Sequence, residues 1–214
     1  MKKVFLLFSA AFIANLVVAQ TYPQPEFSNE VYYLKKDSVY SLVRLEKNAS
    51  SMDTKTKMGG FGGSESGYSF DKEKSPVHIN KAPNLSFVFS TGATSTAASS
   101  KSDSMMRANG MDPSMMQGMG SMNDPSNTIT LYKVESSGGN RKILLMKSPG
   151  AMPFGSKKTK SSDKFTFSVK KIREGYWELI IDKNLAAGEY AFSMTDMKSM
   201  TMSMGVIIFA FEIN

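Results

Sequence analysis

No cysteine occurs in the 214-residue chain, and histidine occurs once, at His78. Without cysteine there are no disulfides, no thiol nucleophile and no thiolate metal site. A diacylglyceryl lipid anchor also has no sulfur to attach to. One histidine excludes a histidine-built zinc centre, and any Ser-His-Asp triad would have to use His78. That residue sits between Val77 and Ile79, where a solvent-facing strand position is the expected role. A carboxylate-dependent hydrolase is the enzymatic alternative, because such acid pairs are assembled by the fold and leave no mark in sequence. Two glycine-rich stretches fail their context. In Gly150-Ala-Met-Pro-Phe-Gly155-Ser156-Lys157 the lysine follows the hydroxyl residue, and Gly59-Gly60-Phe61-Gly62-Gly63 does not link a strand to a helix.

Long apolar runs are scarce as well. The first nineteen residues read as a secretory signal: Lys2 and Lys3, an apolar stretch from Val4 to Ile13 broken by Ser9, and Val17-Val18-Ala19 before Gln20. Asn15 interrupts the run before it reaches the roughly 20 apolar residues that a membrane-spanning helix needs. Val206 to Phe211, the later apolar run, is too short to span as a helix. The expectation is an exported protein of a Gram-negative bacterium, periplasmic or at the cell surface, with residues 20–214 as the mature chain. Cysteine-free export also fits a bacterial source.

Loss of Lys2 and Lys3 with the signal lowers the formal charge by two, from +7 to +5. Much of the excess lies in Lys157, Lys158, Lys160, Lys164, Lys170, Lys171 and Arg173. Outside the cytoplasm nucleic acid is not an expected partner. The candidates are an anionic envelope surface or another envelope protein, approached through long-range attraction; a solvated lysine-rich loop is the plainer reading.

What the chain does have is strand pattern. Phe165, Phe167 and Val169 alternate with polar residues, the period-two signature of a half-buried strand. Tyr176 to Asp182 puts Trp177, Leu179 and Ile181 on one face, and Glu189 to Met194 follows the turn at Ala187-Gly188. Val206 to Ile213 is apolar on both faces for most of its length and predicts a central or covered strand. Ile129 to Val134 and Lys142 to Lys147 flank Ser136-Ser137-Gly138-Gly139-Asn140, which reads as a hairpin. Val31 to Lys35, Val39 to Lys47, Tyr68 to Asp71, Val77 to Ile79 and Leu85 to Ser90 add further strands, and no amphipathic helix of ten residues is evident. The pattern predicts an all-β fold: a single β-sandwich, or small barrel-like domain, of short antiparallel strands. The strands are too short for an outer-membrane barrel, which needs about 9–11 residues each. Met52 to Gly67 is expected to be a flexible loop. Thr91 to Asn127, rich in Met, Ser and Gly, is expected to be a disordered insertion, since it buries too little apolar surface to offset its chain entropy.

Methionine is the surplus. Met105, Met106, Met111, Met115, Met116, Met119 and Met122 lie in that insertion; Met194, Met197, Met200, Met202 and Met204 lie between the last two strands. Methionine ordinarily fills core gaps, yet the neighbours here are Ser, Gly, Asp, Lys and Asn. A thioether is a soft neutral donor suited to Cu(I) or Ag(I). The candidate metal ligands are therefore Met111, Met115, Met116, Met119, Met122, Met194, Met197, Met200, Met202 and Met204. If the strands starting at Ile129 and Val206 run parallel in space, both loops emerge at one end of the sandwich. The alternative roles are low-complexity filler or a sacrificial target for oxidants.

The stretches Ser41-Leu-Val-Arg-Leu-Glu46, Gly175-Tyr-Trp-Glu178, Leu185-Ala-Ala-Gly-Glu-Tyr-Ala-Phe192 and Phe209-Ala-Phe-Glu-Ile-Asn214 resemble a loose set of exported bacterial all-β proteins. These share a leucine-x-x-glycine-glutamate-tyrosine turn and a closing aromatic strand. The resemblance spans most of the mature chain outside the insertion. It implies a fold and carries no activity, ligand or site. The functional expectation is a non-enzymatic envelope module that binds or scaffolds, with soft-metal binding through the methionine-rich loops as the alternative.

Overall fold

The computed structural model describes residues 21–57, 63–92, 124–149, 159–194 and 206–214. Among them the chain forms fifteen strands and one helical turn, α1 (Pro125–Thr128). The strands build three sheets, none closed on itself. The front sheet is ordered β12 (Phe167–Arg173), β13 (Tyr176–Ile181), β7 (Ser86–Ser90), β1 (Glu30–Lys36), β2 (Tyr40–Arg44). The central sheet is ordered β11 (Lys164–Phe165), β8 (Ile129–Lys133), β14 (Gly188–Met194), β15 (Ile207–Ile213), β3 (Glu46–Ala49). The rear sheet is ordered β4 (Ser51–Thr56), β5 (Gly63–Asp71), β10 (Asn140–Pro149), β9 (Glu135–Ser137). These pairings are antiparallel; β6 (His78–Ile79) adds a parallel bridge to the end of β15.

The all-β, sandwich-like expectation holds, with a third sheet that a plain sandwich lacks. The central sheet is apolar on both faces because alternate side chains enter two different cores. Tyr190, Phe192, Met194, Phe209, Phe211 and Ile213 pack forward against Val31, Phe87, Phe89, Trp177, Leu179 and Ile181. Ala191, Ile208, Ala210, Tyr132 and Val134 face backward against Phe70 and Ile143. Edge-on ring contacts organise the forward core: Phe87 lies 4.9 Å from Phe192 between centroids, and Phe167 lies 6.1 Å from Phe192. A third cluster, Tyr32, Leu34, Val88 and Tyr176, lies on the outer face of the front sheet. Residues 21–27 cross it as a strap, with Tyr176 Oη donating to the Pro23 carbonyl (2.6 Å) and Tyr22 Oη donating to Glu178 (2.7 Å).

Several expected strands prove to be corners between sheets. Val39 to Lys47 divides at the buried Leu45 into β2 in front and β3 in the centre. The Phe165–Val169 run divides at Thr166 into β11 and β12. The expected hairpin between Ile129–Val134 and Lys142–Lys147 is also corrected. β8 pairs with β14 and β11, while β10 turns back on the short β9 through Gly138-Gly139. Both glycines have positive φ (63° and 84°), which suits a tight two-residue hairpin turn.

Met52 to Gly67 is not a loop throughout. Ser51–Thr56 and Gly63–Asp71 are paired strands, leaving 58–62 outside the described residues. Composition misled here, because Thr54, Thr56, Ser64 and Ser66 on one face and Asp53, Lys55 and Glu65 on the other make a polar, two-sided sheet extension. The expected insertion 91–127 keeps only its margins in view. Thr91 N donates to the Gly175 carbonyl, and Asp124 caps α1 through Ser126 N (2.9 Å); residues 93–123 lie outside the described residues.

Candidate functional site

β8 and β15 both pair antiparallel with β14, so they run parallel to each other. Ile129, Met194, Ile207 and Ala49 form one row across the central sheet. Thus Asp124–Thr128, returning from 93–123, and both flanks of 195–205 meet at one end of the sandwich. β7 starts from the opposite end, because Ile79 lies beside Ile213 there and a short connection leads to Ser86. Ser90 therefore finishes near the Met194 end too. All four roots of the two methionine-rich segments share that end.

The candidate ligands Met111, Met115, Met116, Met119, Met122, Met197, Met200, Met202 and Met204 lie outside the described residues. Met194 is described, and its placement differs from the expected loop. It is a strand residue of β14, buried in the forward core, so its thioether fills space between Ile129 and Ile207.

Two other described methionines are exposed. Met52 on β4 and Met146 on β10 are 38 % and 46 % exposed. Met52 pairs with Tyr68 of β5, and Met146 with Ser66. Alternation along β5 puts Tyr68 and Ser66 on one face, so both methionines share it. β3 runs toward the Ile207 end, Ser50 then bonds Val206 (N to O, 3.1 Å), and β4 continues outward from there. The methionine-bearing part of the rear sheet overhangs the end where the two segments are rooted. The bulge between Leu144 and Met146 sets Met146 on this face. Sequence reasoning placed Met52 in a flexible loop and Met146 in an ordinary hairpin; only the strand register brings them together.

A second cluster is ionic and buried. Arg141 has no exposed surface. Its Nη2 lies 2.8 Å from Glu46, its Nη1 3.4 Å from Glu189, and its Nε donates to the Lys72 carbonyl at 3.1 Å. Its guanidinium covers the Phe70 ring at 4.7 Å. Glu189 also accepts from Ser75 N (3.2 Å). Burial still pushes the Glu189 carboxyl above its ordinary value, with Ser75 and Arg141 pulling the other way. Nothing in the polar run Asn140-Arg-Lys142 marked Arg141 as the most deeply enclosed charge.

His78 lies at the edge of this cluster, half exposed, with Nδ1 3.0 Å from Glu212, which also pairs with Lys74 at 3.0 Å. The nearby Ser75 hydroxyl donates to the Ala210 carbonyl and accepts from Val77 N, so its lone pairs and proton serve the backbone. The described residues contain no group of three or more His, Asp or Glu able to hold a metal ion. One open depression of about 190 Å3 lies between Lys133, Glu135, Lys160, Ser162 and Asp163, with charges of both signs on its walls. Lys160 there pairs with Glu135 (3.2 Å), and Lys171 pairs with Glu174; the basic run is thus partly neutralised locally.

The leucine-x-x-glycine-glutamate-tyrosine turn has a clear structural use. Leu185 is buried in the forward core, Glu189 joins the ionic cluster, and Tyr190 Oη donates to the Ala186 carbonyl four residues upstream (2.9 Å). The turn locks the entry to β14. Among the described residues, no helix is long and apolar enough to cross a membrane. Fold and site define the class only as an all-β, three-sheet protein. Comparison with family models, with curated proteins and with solved structures finds no match.

Proposed function

We propose that the protein is an exported bacterial envelope module that binds or scaffolds rather than catalyses. The observation that carries this reading is the use of its reactive groups. The imidazole lies against the Glu212 carboxylate at a sheet margin (3.0 Å), and the Ser75 hydroxyl and the carboxylates of Glu46 and Glu189 are engaged in joining sheets. Its partner is an anionic envelope surface or another envelope protein. Fractionation with N-terminal sequencing tests export: the mature chain is expected outside the cytoplasm, starting near Gln20. A cytoplasmic protein that keeps its first twenty residues overturns it. Panels of glycans and esters are expected to show no turnover, and turnover would favour the carboxylate-dependent hydrolase.

A second reading is favoured by the shared end from which both methionine-rich segments spring. On that reading the module takes up Cu(I) or Ag(I) through thioethers. Binding should vary little with pH, since a thioether carries no competing proton. Exchange of Met197, Met200, Met202 and Met204 for leucine, or of Met111, Met115, Met116, Met119 and Met122, should weaken Ag(I) binding without unfolding the protein. Equal binding by parent and variants removes this reading.

A further inference from the structure

We propose that Met52 and Met146 are thioether donors to a soft monovalent cation, Cu(I) or Ag(I), on the overhanging face of the rear sheet. The inference rests on the soft-metal reading above and extends it to residues held by the scaffold itself. Five large hydrophobic side chains are markedly exposed among the described residues, and two of them are these methionines. Apolar exposure is unfavourable, and the rest of the overhang is polar: Thr54, Thr56, Ser64, Ser66 and Ser148 occupy the same face by register.

The geometry suits a shared ion. β5 separates the two strands, which at about 4.8 Å per strand places them roughly 10 Å apart. Met52 lies two pair-rows from Met146, roughly 7 Å along the strands, diagonally across Ser66 and Tyr68. On that face Thr54 and Ser66 are short and Tyr68 stands beside Met52, so the two long unbranched side chains would meet over Ser66. Soft thioethers select Cu(I) over the hard cations that oxygen ligands favour. Strand-borne donors are also fixed in place by the ladder, as a preorganised site requires. A purely packing role would seal the margin of the rear core, where Tyr68, Leu145 and Val206 are already partly buried, and does not account for two methionines left 38 % and 46 % exposed.

The test uses the full mature chain with Ag(I) in chloride-free buffer. Dilute peroxide converts exposed methionine to sulfoxide, and peptide mass spectrometry reads the rate at each residue. Ag(I) is expected to slow oxidation of Met52 and Met146 severalfold. A Met52→Leu/Met146→Leu variant should keep its circular dichroism spectrum and bind Ag(I) more weakly than the parent. If the parent binds Ag(I) while Met52 and Met146 oxidise at unchanged rates, the inference falls and the broader metal reading stands. If the parent binds no Ag(I), both fall.

Discussion

The central sheet is closed on its two faces by different physics. In front, Phe87, Phe167, Phe192 and Phe211 interlock, and stability comes from filled apolar volume. Behind, the sheet offers the small Ala191 and Ala210, and the space around them admits Arg141 with its two carboxylates. An apolar face tolerates some sliding of its side chains. An ionic clamp does not, because each donor has a particular acceptor. The rear interface therefore fixes where the rear sheet sits, while the front interface supplies most of the burial.

That contrast is most severely tested at Arg141. Replacing it with methionine leaves Glu189 buried without its cation and Glu46 with Lys72 alone, and breaking such a cluster costs about 3–5 kcal/mol. Adding Glu46→Leu and Glu189→Leu should recover much of that loss, since an apolar substitute for a whole buried ion cluster is often neutral or better. Phe192→Ala, by comparison, should cost about 3–5 kcal/mol with no rescue by a second change nearby. Urea unfolding distinguishes the two. If the triple variant is no more stable than Arg141→Met, the ionic account of the rear face is wrong.

Gly67 gives the next largest effect. A Cβ there would lie 2.2 Å from the Ile143 carbonyl oxygen, opposite the β10 bulge, so β5 and β10 would have to part. Gly67→Ala should cost about 1–3 kcal/mol and loosen amide protection in β5 and β10 before the front sheet. Uniform loss of protection would contradict the view of the rear sheet as a separately docked unit.

Acid should separate the faces in the other direction. Glu30 and Glu178 are buried, which opposes ionisation, but Arg44 with Lys47, and Lys36 with Tyr22, hold the two carboxyls below their ordinary value. Their contribution is present above the unfolded carboxylate pKa of about 4.3 and is lost as pH falls through the lower folded values. Glu189 has the opposite sign: its folded value is raised, so the strain of keeping it ionised is relieved as pH falls. Amide exchange, corrected for intrinsic rates, should show the 21–27 strap, β1 and β2 losing protection in acid before β5 and β10. The reverse order would place the pH-sensitive contacts in the rear face.

The smallest effect belongs to the exposed side of the rear sheet. Glu65 bridges Lys142 and Lys147, each at 3.1 Å. Partly exposed pairs of this kind contribute about 0–1 kcal/mol, so Glu65→Gln should shift the melting temperature little, and less still in high salt. A large shift would mean that surface charge, not Arg141, positions this sheet.

Strands in the centre were legible because a short run that is apolar on both faces must be covered on both. Val206 to Ile213 announces a covered strand on composition alone. Corners were not legible. At Leu45 and Thr166 the alternation continues through the bend, so a period-two pattern cannot report that the partner strand has changed. Arg141 was equally silent, since an arginine beside asparagine and lysine reads as surface. The common end of the methionine-rich segments was conditional on strand direction, and the register supplied it. Met52 and Met146 needed the same register plus the bulge, neither of which is written in local sequence.

The pairing of β3 with β15 has a temporal consequence. Residues 46–49 wait for residues 207–210, so the central sheet stays open until those distant residues have been made. Folding dominated by such distant partners is slow, because loop closure must be completed before contacts repay it. On the export route proposed above, that delay would keep the chain unfolded during its passage. Removing β15 should leave residues 46–49 without their partner and the product quickly degraded.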